Sequence, residues 1–452
     1  MTTAPSPEPA EKPTHARYYV VVFAVTLAVL SYIDRVSISK AAPFISHDLG
    51  LTKSQMGAVF GAFALAYALA EIPSGWMGDK LGARSVLMRI VLWWSCFTAS
   101  VVLMWSFTSL WINQFLFGAG EAGCFPNLTK AFSTWLQPHE KVRAQGIMWM
   151  SARWGGAFTP LLCSAIFVYL PWRAAFLIFC LLGFLWAILF FRWFRNNPKH
   201  HPGVNAAERK LLEMNQYMAG SHGDVPWGRM VRSRTVWLLW VQYFLMTYPW
   251  YLYITWLTTY LLEYRKLDER TAAVYAIFPL LFGGIGCGVS GFALPFVARR
   301  LGSMDRARRT VGTLGFIGAA VLVFAHIQIH AALPAMLALG LASFSNDIVM
   351  PCAWGTCMDV GGKYAGTLSG SMNMMGNFAG FVSPFLGGVI LQHSGHWTFR
   401  VLGVSVLPEW MLRFLHETNG WNLYLYTFVV SYILAALCWP LLDSRRTLES
   451  VE

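Results

Sequence analysis

The chain has 452 residues and a formal net charge of +12, with 56% hydrophobic and only 12% charged residues. Soluble globular proteins carry about 25% charged residues, so this composition excludes an ordinary soluble protein. The 34 lysines and arginines are concentrated in alternate loops between long apolar stretches. That bias sets the orientation of membrane proteins, and it argues against a basic surface for nucleic acid.

Apolar stretches of similar length follow one another from residue 17 to residue 442. Most have the roughly 17–25 residues that a helix needs to cross the hydrocarbon core. Lipid cannot satisfy the open edge of a sheet, so helices are required. We predict an all-α integral membrane protein with twelve transmembrane helices. In chain order, spans 1 to 12 are residues 17–44, 54–77, 85–105, 109–132, 143–168, 172–195, 235–262, 271–298, 310–327, 331–358, 364–391 and 421–442.

The spans are predicted to form two pseudo-symmetric six-helix bundles, a common plan in transporters. A disordered tail (1–16) precedes the N-terminal bundle (17–195), and a basic linker (196–234) leads to the C-terminal bundle (235–443), followed by a tail (444–452). In the linker, Asn205 and Glu208 have the spacing of a capping box for an amphipathic helix, Ala206–Met218. The basic loops place the linker and both termini in the cytoplasm. The loop 393–420 is then periplasmic, as an interfacial anchor or a lid.

Ionisable residues inside the spans are the candidates for function, because a charge at the bilayer centre is costly and rare. Span 1 carries Asp34 and Arg35, span 4 Glu121, span 5 Arg153 and span 10 Asp347. A nucleophile with its base, a metal-binding cluster and a cofactor motif are all absent from the sequence, so neither an enzyme nor a cofactor is predicted. A sensor would need a signalling domain. The pattern indicates a transporter of a charged solute.

Several motifs resemble those of a known family. The segment Gly75-x-x-x-Asp79-Lys80-x-Gly82-x-Arg84 is similar to the loop 2–3 signature of the major facilitator superfamily. Further segments resemble its anion:cation symporter family, which includes hexuronate, galactonate and glucarate transporters. They are Tyr32-x-Asp34-Arg35, Gly120-Glu121-Ala122-Gly123-x-Phe125-Pro126, Thr255-Trp256-Leu257 with Thr259-Tyr260-Leu261, and the residues Gly366, Gly370, Asn373, Gly376, Asn377 and Gly380.

The resemblance implies roles for the charges of spans 1 and 4. Arg35 would bind the substrate anion, since a guanidinium offers a planar fork to a carboxylate; an internal ion pair with Asp34 or Glu121 is the alternative. Asp34 and Glu121 would carry the coupling proton, because burial and a nearby arginine shift a carboxyl pKa in opposite directions. Alternatively, both are structural partners of Arg35.

The charges of spans 5 and 10 depart from the family pattern or extend it. We predict that Arg153 supplies a second positive charge, which would suit a dicarboxylate or a sugar acid; a packed pair with Glu121 is the alternative. Asp347 is a candidate for coupling. It would pair with an arginine across the two halves, bind substrate hydroxyls or help to bind a cation.

Aromatic and amide side chains complete the predicted substrate site, and further charges are assigned to gating. Glu71 and Arg89 lie at similar depth in the hairpin of spans 2 and 3 and are predicted to form an ion pair. By the resemblance, Asp79 and Arg84 serve conformational switching. The remaining candidates for substrate binding are Tyr32, Tyr67, Tyr248, Tyr251, Trp354, Asn373 and Asn377.

The sequence therefore predicts proton-coupled symport of an organic anion by alternating access. Hexuronate, galactonate and glucarate are the substrates that the resemblance suggests, and a bacterial inner membrane is the expected location. One chain holds a complete pathway, so a functional monomer is expected. An exporter or an exchanger on the same scaffold is the alternative, since the sequence does not fix direction.

Overall fold

The computed structural model describes residues 12–212, 225–393, 400–401, 404–405, 418–445 and 447–448. Several predicted segments therefore lie wholly or largely outside the described residues. They are the first eleven residues of the N-terminal tail, residues 213–218 of the linker helix, most of the loop 393–420 and the end of the C-terminal tail.

Within the described residues, helices occupy all twelve predicted spans, and eight helical stretches are long and apolar enough by themselves to cross a membrane. Spans 1 to 6 are Tyr18–Leu49, Lys53–Leu81, Ala83–Ser100, Phe107–Glu121 with Cys124–Trp135, Pro138–Tyr169 and Trp172–Trp193. Spans 7 to 12 are Arg234–Thr255, Glu269–Tyr275 with Ile277–Leu301, Met304–Gln328, Ala332–Asp347 with Met350–Gly361, Ala365–His393 and Gly420–Leu441.

Short elements connect or extend the spans. They are 3-10 turns at Val101–Leu103, Pro198–His200 and Gly362–Tyr364, helices Ala206–Leu211, Trp227–Arg232 and Leu257–Thr259, and a π-helical turn at Tyr260–Tyr264. Strands Arg400–Val401 and Val404–Ser405 form an antiparallel pair in which Arg400 lies opposite Ser405.

The packing of the spans repeats between the two halves. In the N-terminal half, span 1 packs on span 5, span 2 on span 4, and span 3 on span 6. The C-terminal half contains the same pairs with each number raised by six: 7 on 11, 8 on 10, and 9 on 12. Spans 5 and 8, and spans 2 and 11, join the halves. These two contacts also exchange under the same operation, so the fold has the pseudo-two-fold symmetry that the sequence predicted only weakly.

The seam between the halves brings backbones together at glycines. A Cβ added to Gly75 of span 2 would lie 2.5 Å from the carbonyl oxygen of Gly366 in span 11. At the other contact, a Cβ on Gly146 of span 5 would lie 2.6 Å from the carbonyl oxygen of Cys287 in span 8. Small residues allow such close approach of helices in membranes.

Spans 4 and 10, which are equivalent under the pseudo-symmetry, are both broken near the middle. Span 4 breaks at Ala122 and Gly123, where Gly123 has a φ of 82° that favours glycine. Span 10 breaks at Ile348 and Val349. Each break comes directly after a buried acidic residue, which places two carboxylates at the ends of half-helices.

The linker closes over the start of span 1. Asn205 caps Ala206–Leu211 by accepting from the backbone of Glu208 at 3.0 Å, which is half of the predicted capping box. The Glu208 carboxylate does not return the bond to the Asn205 backbone and instead accepts from Thr14 Oγ1 at 2.5 Å and from Arg17 at 2.9 Å. Arg17 also pairs with Glu140 of span 5 at 3.0 Å. We call this end of the bundle, which also carries loops 2–3, 4–5, 8–9 and 10–11, the loop 2–3 face.

Candidate functional site

A cavity of about 60 Å³ lies between the two halves. Its walls come from spans 1, 2, 4 and 5 on one side and from spans 7, 10 and 11 on the other. The lining residues are Tyr32, Arg35, Tyr67, Phe125, Trp149, Arg153, Tyr243, Thr247, Trp250, Tyr251, Met350, Asn373, Gly376 and Asn377. Pockets that enclose drug-sized ligands have about 300–1,000 Å³. In the described conformation this cavity is therefore too small for a drug-sized ligand.

Arg35 reaches the cavity from span 1 and is held by a carboxylate behind it. Its Nε donates to Glu121 Oε1 at 2.8 Å, and the hydroxyl of Ser31 donates to the same oxygen. Glu121 is fully buried. The guanidinium lies over the ring of Tyr67, 4.5 Å from its centre, a favourable contact for a desolvated cation. Of the two internal partners considered for Arg35, the structure therefore shows Glu121.

One buried nitrogen of Arg35 lacks a hydrogen-bond partner in the described part of the chain. Among the described residues, its NH2 group is buried and has no hydrogen-bond partner. A buried donor without an acceptor is costly, and more so when it is charged. Because Arg35 lines the cavity, an anion bound there would supply the missing acceptor.

Asp34 lies apart from the cavity, although it precedes Arg35 directly. It is buried, and within the described part of the chain its Oδ1 has no hydrogen-bond partner. Successive residues on a helix point about 100° apart, which explains why the two neighbours face different surroundings. The structure does not pair Asp34 with Arg35.

Arg153 reaches the opposite part of the cavity from span 5. Its Nε and NH2 donate to the two oxygens of Asp347 in span 10, at 2.8 and 3.3 Å, and its NH1 donates to the hydroxyl of Tyr32 at 3.3 Å. Both charged residues are buried, with 3% and 0% exposure. The structure thus shows the pairing of Asp347 across the halves, and not the alternative pair of Arg153 with Glu121.

The aromatic wall is a helical stripe of span 7. Tyr243, Thr247, Trp250 and Tyr251 all line the cavity. Tyr251 donates to Asn377 at 3.1 Å. Tyr248, which we had predicted to bind substrate, lies off this stripe and contacts Thr427 of span 12 at 3.1 Å instead. The spacing of four, seven and eight residues from Tyr243 is the sequence signal that would have found the stripe.

One other residue predicted for the cavity wall lies behind it, and three residues that were not predicted line it. Trp354 is fully buried and donates to the hydroxyl of Tyr243 at 3.1 Å, so it supports the wall from behind and does not line it. Phe125, Trp149 and Met350 line the cavity without having been predicted. They are apolar, and the sequence gives no sign that distinguishes them from core residues.

Asn373 and Asn377 connect the cavity to span 2. Their side-chain nitrogens donate to the two oxygens of Glu71 at 2.8 and 3.2 Å. The predicted ion pair of Glu71 with Arg89 is not formed. Arg89 is exposed and donates to the sulfur of Met77 at 3.1 Å. Glu71 shares one helix face with Gly75 and Asp79, four and eight residues further on, and that face packs on span 11.

Asp79 closes the loop 2–3 face. It accepts from the backbone of Gly366 at 3.1 Å and from the backbone and hydroxyl of Thr367 at 2.6 and 2.7 Å. Lys130 of span 4 pairs with Asp79 at 3.2 Å and also donates to the carbonyl of Lys363. Arg84 lies elsewhere, donating to the carbonyl of Phe191 at 3.1 Å. Lys130 is a contact between the halves that we had not predicted.

Comparisons with known proteins agree with this architecture. The sequence profile of the Major Facilitator Superfamily matches residues 24–384. The chain belongs to the major facilitator superfamily. This is a family of transporters, so the prediction of a transporter and not an enzyme is confirmed.

Curated relatives of this superfamily member have names that refer to organic anions. The chain is 34% identical to the "Probable sulfoacetate transporter SauU" of Cupriavidus necator, over 87% of this chain and 93% of the relative. It is 28% identical to the "Hexuronate transporter" of Bacillus subtilis, over 89% and 95%. It is also 28% identical to the "Probable galactarate/D-glucarate transporter GudP" of Escherichia coli, over 88% and 92%.

Solved structures of the superfamily share the fold. A proton:xylose symporter, XylE, bound to 6-bromo-6-deoxy-D-glucose, superposes with a TM-score of 0.68 at 12% identity, over 96% of this chain and 98% of that one. The human organic anion transporter MFSD10 superposes with a TM-score of 0.66 at 13% identity, over 95% and 100%.

Proposed function

We propose that this superfamily member transports a small organic anion by alternating access, and that the anion binds Arg35 in the cavity between the halves. The observation that carries the proposal is that Arg35 lines the cavity and that its buried NH2 group has no hydrogen-bond partner among the described residues. The names of the relatives support an anion, and sugar acids and sulfoacetate are the substrates to test first.

The same pair offers a route to proton coupling. Glu121 is fully buried, and Arg35 is its ion-pair partner. An anion that draws Arg35 towards the cavity leaves Glu121 as an uncompensated buried charge, which costs about 3–5 kcal/mol. Taking up a proton removes that cost. Anion binding then favours proton binding at Glu121, and by linkage the proton favours the anion equally.

Asp34 is the second proposed proton site. It is buried, and no cation pairs with it among the described residues. A carboxylate in that position is most stable when protonated, because burying an unpaired charge costs several kcal/mol. We propose symport into the cytoplasm of a bacterium, with the loop 2–3 face on the cytoplasmic side and the monomer as the working unit.

The test is uptake into proteoliposomes with and without an inward proton gradient. The panel contains galactonate, glucuronate, glucarate and sulfoacetate. Wild type is compared with Arg35→Gln, Glu121→Gln and a matched control, Arg192→Gln, in which the arginine is exposed at the end of span 6. We expect gradient-driven uptake in wild type and in the control, no uptake in Arg35→Gln, and exchange without accumulation in Glu121→Gln.

Other outcomes would change the proposal in defined ways. Uptake that is independent of Arg35 would refute the site. Exchange without gradient-driven accumulation in the wild type would favour the exchanger, the alternative function on this scaffold. Counterflow measured from both sides of the membrane distinguishes import from export.

A further inference from the structure

A second guanidinium–carboxylate pair lies beside the cavity, and its carboxylate corresponds in position to that of the first pair. Glu121 ends the first half-helix of span 4, and Asp347 ends the first half-helix of span 10. Spans 4 and 10 exchange under the pseudo-symmetry of the fold, so the two carboxylates correspond. Their partners differ, because Arg35 belongs to the same half as Glu121, whereas Arg153 belongs to the half opposite Asp347.

The two arginines also differ in whether a guanidinium nitrogen lacks a hydrogen-bond partner. Arg35 has a buried nitrogen without a partner among the described residues. Arg153 has none to spare, since Nε and NH2 bind Asp347 and NH1 binds Tyr32. Arg35 therefore offers an incoming anion a nitrogen that makes no other hydrogen bond among the described residues. Arg153 can bind an anion only after its ion pair with Asp347 is broken.

Span 8 is shaped to accommodate this second pair. A Cβ added to Gly283 would lie 2.5 Å from Asp347 Oδ2, and one added to Gly284 would lie 3.2 Å from the Cβ of Arg153. On the other side, Trp250 of span 7 lies against the guanidinium of Arg153, with its ring centre 4.4 Å away. A larger residue at Gly283 would displace the Asp347 carboxylate, so the pair requires this glycine. At Gly284 an added Cβ would first meet the Trp154 ring, 2.5 Å away.

Both guanidinium groups flank one side chain. Arg35 lies 5.6 Å from the ring centre of Tyr32, and Arg153 binds the hydroxyl of the same residue. A molecule lying along Tyr32 would reach both arginines. The cavity has only about 60 Å³, so the halves must separate before such a molecule fits. Arg153 lines the cavity and is held by Asp347 from the opposite half, so a molecule that binds the Arg153 guanidinium must displace this contact.

We propose that the Arg153–Asp347 pair is a latch between the halves that selects substrates with two acidic groups. The first acidic group binds Arg35, and the second replaces the Asp347 carboxylate on Arg153. One carboxylate is exchanged for another, so the guanidinium stays compensated. The released Asp347 keeps the hydrogen bond from Asn346 at 2.8 Å, and taking up a proton relieves it of an uncompensated buried charge, as proposed for Glu121. A substrate with one acidic group binds Arg35 alone, leaves the Arg153–Asp347 contact in place and gains no affinity from Arg153.

This inference rests on the proposed anion transport, and its test separates the two. Dissociation constants are measured on the purified full chain for two matched pairs of probes: glucarate against gluconate, and sulfoacetate against acetate. Within each pair the molecules share a chain and differ in the second acidic group. Failure of wild type to bind any of the four would overturn the proposed function together with the latch.

The variants test the latch itself. Hydrogen bonds to charged groups account for ~10- to 100-fold in binding. We expect Arg153→Gln to weaken the diacid by that factor and the monoacid by less than about threefold, and Asp347→Asn to tighten the diacid by freeing Arg153. Equal weakening of both acids in Arg153→Gln, or weaker diacid binding in Asp347→Asn, would refute the latch.

A neutral pair guards against variants that fail to fold. Arg153→Gln combined with Asp347→Asn removes both charges and leaves no uncompensated one. We expect this double variant to bind the diacid and the monoacid of a pair with similar affinity. A diacid preference as large as that of wild type in the double variant would show that the latch does not select substrate.

Discussion

Gly75 offers a sharp test of how the loop 2–3 face is closed. In Gly75→Ala the added Cβ would lie 2.5 Å from the carbonyl oxygen of Gly366 and 3.1 Å from its carbonyl carbon. Both atoms belong to the backbone of span 11, so no side-chain rotation relieves the clash. Spans 2 and 11 must move apart by several tenths of an ångström or more to reach an ordinary contact distance.

The expected magnitude follows from the cost of overpacking. Inserting a methyl group into a well-packed contact costs about 1–3 kcal/mol. The clash exists only while the two spans are together, so this cost falls on the closed form of the loop 2–3 face. A free-energy change of that size shifts an equilibrium by about 5- to 150-fold, here towards the form in which this face is open.

The assay is a distance measurement between spin labels on the two halves. Leu81 and Leu301 are exposed, lie at the loop 2–3 face and belong to opposite halves, and each is replaced by cysteine. Cys96, the exposed native cysteine, is replaced by serine. In Gly75→Ala we expect a longer distance to gain population at the expense of the shorter one. Thermal stability in detergent is recorded alongside.

Gly61→Ala is the matched control, because a Cβ on Gly61, in the same span, meets nothing within 4 Å. It should keep the distance distribution and the stability of the parent. If Gly75→Ala matched the control in both measurements, the clash would carry no free-energy cost, and the inferred contact between spans 2 and 11 would be wrong.

Three further predictions concern the same face. Asp79→Asn leaves the buried Lys130 without its ion-pair partner, and a broken buried pair costs about 3–5 kcal/mol. The spin labels should therefore move apart, as in Gly75→Ala. An unchanged distance would show that Asp79 does not hold this face closed. Glu208→Gln weakens the contacts to Thr14 and Arg17 and should lower the melting temperature by the equivalent of about 1.5–3 kcal/mol. Glu263 is exposed, so the control Glu263→Gln should leave the melting temperature unchanged. Equal melting curves for the two variants would show that the linker does not hold span 1. Burial beside Trp135 and Trp193, with Arg195 nearby, lowers the pKa of His201 below its usual 6.5, so the unfolded chain binds a proton that the folded one refuses. Stability should therefore fall as the pH drops below 6.5, and His201→Gln should flatten that part of a plot of melting temperature against pH; a parallel curve would contradict it.

The sequence predicted how deep each charged residue lies along its helix, but not which neighbouring helix its side chain faces. Glu71 and Arg89 lie at similar depth in neighbouring helices, which is why they were predicted to pair. The depth of a residue follows from its distance along the helix, but its direction depends on how the helix is rotated against its neighbours. Glu71 points to span 11 and Arg89 points away from it. The four-residue spacing of Glu71, Gly75 and Asp79 was the available signal.

The helix breaks in spans 4 and 10 differ in how clearly the sequence signals them. Gly123, which follows Glu121 by two residues, is a visible break signal. In span 10 the sequence offers only Pro351, which starts the second half-helix, while Ile348 and Val349 at the break itself favour neither a turn nor a cap. The equivalence of the two breaks becomes visible only once the halves are superposed in space.

The class of protein, the twelve spans and the buried charges could all be predicted from the amino-acid sequence. Hydropathy and the cost of burying a charge depend on each residue and its depth, and both can be read along one chain. The partners of those charges emerged only from the folded structure: Glu121 for Arg35, Asp347 for Arg153, and none for Asp34 among the described residues. Those pairings depend on the rotation and docking of helices from distant parts of the chain. These are set by side-chain packing across the whole bundle, which no local pattern encodes.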